Sequence, residues 1–66
     1  LVFEDSATGM RAAVDAGCAV IGLPEGDQVE VPTEVTEISS LRDSRHLAGA
    51  KAADVYEWFA KISVRQ

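Results

Sequence analysis

Two adjacent carboxylates, Glu4 and Asp5, are the residues whose type and spacing most directly offer chemistry. Side by side they repel each other unless a cation, a shared proton or water lies between them. Oxygen donors of this kind suit Mg²⁺, a hard ion that takes one or two carboxylates and keeps several waters. Successive side chains on an extended segment point to opposite sides, so the two need not grip one ion together. Asp5 is the better candidate for a direct ligand, and Glu4 for one that acts through water or by a weaker direct contact. The competing reading is local and electrostatic. Glu4 is then solvated and Asp5 helps to cap the helix that follows, because negative charge is favoured at a helix start.

Either reading needs elements to hold the pair in place. Leu1-Val2-Phe3 is a short apolar run, consistent with a strand buried on both faces. The carboxylates then fall at its end, and in open α/β sheets ligands bind outside the carboxyl ends of the strands. Ser6 or Thr8 can cap a helix over Ala7 to Ala16, their side-chain oxygens accepting free backbone N–H groups. Ala7, Met10, Ala13 and Val14, with Gly17 beyond, form one apolar stripe at helical spacing. Arg11 and Asp15 stand at i, i+4 on the wet side. Gly17 suits the C′ position, where positive φ is common. Cys18 to Leu23 reads as a second buried strand, and strand–helix–strand order implies a parallel pair with a right-handed crossover. Cys18 is expected to be a small, inert core residue.

The string Phe3-Glu4-Asp5-Ser6, Gly9, Arg11-Ala12-Ala13, Ala16-Gly17 and Val20-Ile21-Gly22 resembles the fourth motif of the haloacid dehalogenase superfamily. Within it, the string is most similar to the branch of β-phosphoglucomutase and small sugar-phosphate phosphatases. The likeness is specific over Leu1 to Pro24, weak from Glu25 to His46, and looser again from Leu47 to Ile62. It implies the C-terminal part of such a core, residues 1–66, with a partial Rossmann-like parallel sheet in the order strand–helix–strand, loop, strand–helix. It also implies that Glu4 and Asp5 hold a catalytic Mg²⁺ while a phosphoryl group passes through an aspartyl-phosphate. The family's Asp-x-Asp nucleophile motif does not occur in this sequence, and Lys51 and Lys61 follow the acidic pair where the family's lysine precedes it. No catalytic residue is therefore assigned within the chain, which alone is expected to be inactive.

The remainder is less patterned. Pro24-Glu25-Gly26-Asp27 signals a turn, with Glu25 and Asp27 either solvated or, by the resemblance, near the active site. Val29-Glu30-Val31 alternates, but Pro32 demotes the run to edge strand or loop. A short strand is expected within Glu34 to Ile38, with Glu30, Glu34 and Glu37 on a solvated face. Arg42 and Arg45 either bind an anion through their guanidinium forks or balance Asp43 at the surface. His46 is read as a surface or cap residue rather than an acid/base. A short helix over Leu47 to Ala52, a strand over Ala53 to Tyr56 and a helix over Glu57 to Ile62 follow the resemblance. One continuous helix from Leu47 to Ile62 is the competing reading. Trp58 and Phe59 are expected in packing rather than in base stacking, and Ser63 to Gln66 as a frayed tail.

Sixty-six residues allow one small domain. The net charge of −5 argues against a nucleic-acid partner held by phosphate contacts and is compatible with a metal that supplies positive charge. The apolar runs are too short to span a bilayer. One cysteine allows no internal disulfide, and with no targeting segment it fits a reducing cytoplasm. The chain opens at Leu1, inside an apolar strand, and a parallel strand needs neighbours. An N-terminal portion or a second chain is thus expected to complete the sheet. The function expected is that of a Mg²⁺-binding segment of a phosphatase or phosphomutase acting on a small phosphorylated metabolite. The alternative is a non-catalytic α/β structural or interaction module.

Overall fold

In a computed structural model, described over residues 1–63, the apolar start of the chain becomes strand β1, Val2–Glu4. Helix α1, Ala7–Asp15, and strand β2, Val20–Gly22, follow. A long connection leads to the two-residue strand β3, Thr36–Glu37, which runs straight into a 3-10 turn, Ile38–Ser40. Helix α2, Ala52–Ser63, closes the described chain. The sheet has the order β1-β2-β3, and both pairings are parallel. Glu4 stands opposite Gly22, and Gly22 opposite Glu37, so the strand ends share one rim.

The start of α1 follows from its cap. Ser6 has extended backbone, and its hydroxyl oxygen accepts the Gly9 N–H at 3.0 Å. Ser6 rather than Thr8 is thus the N-cap. The helix ends one residue short of expectation, with Ala16 as its C-cap. Gly17, at φ 84°, then donates to the Val14 carbonyl and Cys18 to the Ala13 carbonyl, the paired bonds of a Schellman ending. That ending moves Cys18 outside both helix and strand, and its side chain is exposed rather than in the core. The strand beyond is correspondingly shorter than the apolar run Cys18 to Leu23.

Alternation along the strands builds two cores, one on each face of the sheet. Val20 and Met10 are buried with Val35 on the α1 face, with Val2, Val29 and Val31 packed against them. Ile21, Ile38 and Trp58 form the other core, joined by Phe3, Leu23, Val55 and Ile62. Gly22 is required where the α1-face core is tightest: a Cβ there would sit 2.9 Å from Val35 Cγ1 and 3.2 Å from the Met10 sulfur. Val29-Glu30-Val31 forms no strand, yet its valines still pack against the α1-face core from the loop.

The C-terminal third corrects the expected strand at Ala53 to Tyr56, where α2 is continuous. The helix begins because the Asp54 carboxylate reaches back to the Lys51 N–H at 2.9 Å, one half of a capping box. Val55, Trp58 and Ile62 then meet the sheet at helical spacing, which outweighs the β-preference of Val55-Tyr56. The short helix expected over Leu47 to Ala52 is a turn, closed by the Ala50 N–H on the Leu47 carbonyl. The competing single helix is therefore right only from Ala52 onward. Trp58 is buried, whereas Phe59 lies on the outer side and is exposed. Ser63 still belongs to α2; the rest of the expected frayed tail, residues 64–66, lies outside the described residues. No helix among the described residues is long and apolar enough to cross a membrane.

Candidate functional site

β1 carries Glu4 to the carboxyl rim of the sheet, where its carbonyl accepts the Leu23 N–H at 2.8 Å. The side chain lies on the α1 face, as Val2 does two residues earlier, and bends over the start of α1. Oε1 accepts from the backbone N–H groups of Asp5 and Ser6, at 3.0 and 3.3 Å, and from the Ser6 hydroxyl at 3.3 Å. A relay results: the Gly9 N–H donates to Ser6 Oγ, and Ser6 Oγ–H donates to Glu4. Any side chain at position 9 would overlap the Glu4 carboxyl, so Gly9 supplies the space in which it rests.

These contacts favour the ionised form of Glu4. The Ser6 backbone N–H, first, and then the Asp5 backbone N–H hold the Glu4 carboxyl below the usual carboxylate range. The Ser6 hydroxyl, which also donates to Oε1, adds to the effect. Asp5 itself is exposed beyond the end of β1. The two residues the sequence singles out thus have unequal surroundings. Glu4 has one oxygen engaged by its own chain, while Asp5 is open to solvent.

Among the described residues no group of three or more His, Cys, Asp or Glu side chains converges. The candidate donors are the two carboxylates Glu4 and Asp5. That number fits Mg²⁺, which takes one or two protein carboxylates and fills its remaining positions with water and phosphate oxygens. Asp5 would hold the ion directly. Glu4 has Oε2 to offer, or reaches the ion through water, while Oε1 stays on Ser6.

The other flagged residues lie elsewhere. Arg42 donates to the carbonyls of His46 and Ala48, at 2.9 and 3.0 Å, with its guanidinium 5.8 Å from the Trp58 ring centre. It staples its loop to α2 rather than balancing Asp43. Arg45 lies 3.9 Å from Asp27, both side chains largely exposed. His46 is exposed, as expected. Glu34, read as a solvated acid, receives Arg11 at 3.1 Å and ties α1 to the segment entering β3. Arg11 also meets Asp15 at 3.5 Å. The Arg11–Glu34 contact joins residues 23 apart in sequence, and no local pattern announces it. No protein-family model, curated protein or solved structure matches the chain.

Proposed function

We propose that this chain is the Mg²⁺-binding segment of a phosphoryl-transfer enzyme, a phosphatase or phosphomutase acting on a small phosphorylated metabolite, with the fold of the C-terminal part of a haloacid dehalogenase-like core. The observation that carries this reading is the position of Glu4 at the carboxyl rim of a parallel sheet, with Asp5 next along the chain and open to solvent. The resemblance of the surrounding string, from Phe3 to Gly22, adds to it. When bound, the ion would neutralise charge on the transferred phosphoryl group. Asp5 would hold it, Glu4 would orient the loop and assist, and Ser6 would fix Glu4 by its hydroxyl and N–H. The nucleophile would come from an Asp-x-Asp segment outside residues 1–66. The outer edge of β1, along which no strand lies among the described residues, is where that part of the sheet would add.

The test uses the chain joined to, or mixed with, a segment carrying that motif. Asp5→Ala should abolish Mg²⁺-dependent hydrolysis of para-nitrophenyl phosphate or a sugar phosphate. Unchanged turnover at limiting Mg²⁺ would refute the assignment. A second reading, a non-catalytic α/β module, is favoured by the three hydrogen bonds that Glu4 Oε1 already accepts from its own chain. On that reading the pair is a loop staple, and the chain is indifferent to Mg²⁺.

A further inference from the structure

A second feature of the same rim lies apart from the acidic pair. The loop after β2 and the end of β3 enclose an open cleft of about 620 Å³. That is within the roughly 300–1,000 Å³ of small-ligand sites. It contains neither Glu4 nor Asp5. Val29 and Val31 give it an aliphatic floor, while Asp27, Glu37 and Arg45 supply its charges; Ile38 borders it with its side chain buried in the other core. Arg45 is 3.9 Å from Asp27, so those two charges largely cancel. The Glu37 carboxylate makes no ion pair or hydrogen bond with another side chain among the described residues; its backbone carbonyl alone is engaged, by the Ser40 hydroxyl. One uncompensated negative charge thus faces an apolar floor. We infer that this cleft binds a small organic ammonium ion with an aliphatic body, its cation on Glu37 and its chain on Val29 and Val31. A primary ammonium stays charged at neutral pH, and the chain's net charge of −5 draws cations toward it. A carboxylate ligand of the same shape meets repulsion from Glu37 instead.

The test is an amide ¹H–¹⁵N titration of the chain with n-butylammonium chloride at constant ionic strength. Saturable shifts are expected at Val29, Val31, Ile38 and Ser39, with none from butanoate. Glu37→Gln should abolish saturation. Arg45→Gln releases the Asp27 carboxylate and should tighten binding by about twofold to fivefold, the range of an exposed ion pair. The inference is overturned if butylammonium gives no saturable shifts, if butanoate gives the same ones, or if Glu37→Gln with a native spectrum binds unchanged. Should Glu37→Gln lose its native spectrum, Arg45→Gln decides, and unaltered or weaker binding overturns the site. Because the cleft and the acidic pair share no residue, either can fail alone: loss of Mg²⁺ binding leaves this result standing, and the reverse.

Discussion

Replacing Gly22 by alanine probes how tightly the sheet is set against α1. Gly22 lies in the central strand, opposite Glu4 on one side and Glu37 on the other. A Cβ there meets Val35 Cγ1 at 2.9 Å and the Met10 Sδ and Cε at 3.2 Å. The first distance is too short to survive, and Val35 is buried with little room to retreat. Overfilling a core costs about 1–3 kcal/mol. Alanine returns roughly 0.4–1 kcal/mol by restricting the unfolded chain. The net loss should be about 1–2 kcal/mol, against a total of only about 3–10 kcal/mol for a chain of 66 residues. For a domain this small that lowers the melting temperature by roughly 5–15 °C. Urea unfolding followed by the fluorescence of Trp58, which lies in the other core, reads the change without touching the probe. In a Val35→Ala background the same substitution should be nearly neutral, because the remaining neighbour is the flexible end of Met10. Equal losses in the two backgrounds, or a Gly22→Ala protein as stable as the parent, would refute the packing reasoning.

Other outcomes follow from the same contacts. Ser6→Ala removes the cap of α1 and should cost about 1 kcal/mol in urea unfolding; it also removes the hydroxyl donor to Glu4. Met10→Ala empties the most enclosed position on the α1 face and should cost about 2–5 kcal/mol, leaving much of the chain unfolded by circular dichroism. Glu4 and Glu34 are both held below their ordinary 4.5, Glu4 chiefly by the Ser6 N–H and Glu34 chiefly by Arg11. Acids depressed in the folded state contribute stability that is present above the unfolded value and lost as pH falls through the folded one. Urea midpoints should therefore hold steady near neutrality and decline below about pH 4.5, with a shallower decline in Glu4→Gln and in Glu34→Gln. Identical slopes in all three proteins would contradict the contacts assigned to these carboxyls.

The strand–helix–strand opening was legible because each of its signals is local. An apolar run, a Ser6 cap, a helical stripe through Met10 and a Gly17 ending all sit within a few residues of the structure they specify. The same locality placed Glu4 and Asp5 at the rim before any pairing was known. Other segments were decided by local caps and turns that compete with residue preference, or by partners distant in sequence. The short strand expected within Glu34 to Ile38 is β3, two residues long and paired with β2, and Val29-Glu30-Val31 is loop, one of the two readings that Pro32 left it. Val55-Tyr56 carries β-preference, but Asp54 capping Lys51 and burial of Trp58 decide for helix. Cys18 looked like core because it adjoins an apolar run, whereas the Schellman ending at Gly17 turns it outward. The bend of Glu4 over Gly9 and the cleft beside Glu37 depend on three-dimensional placement that no spacing rule contains.

The central claim is that Asp5, with Glu4 beside it, holds a divalent ion. Mn²⁺ shares the oxygen preference of Mg²⁺ and broadens amide resonances near the ion it replaces. Trace Mn²⁺ should selectively broaden the amides of Glu4 to Gly9 and of Leu23. Excess Mg²⁺ should restore them, Asp5→Asn should remove the effect, and Glu4→Gln should weaken it. Broadening centred on any other acidic residue, or persisting unchanged in Asp5→Asn, would contradict the assignment.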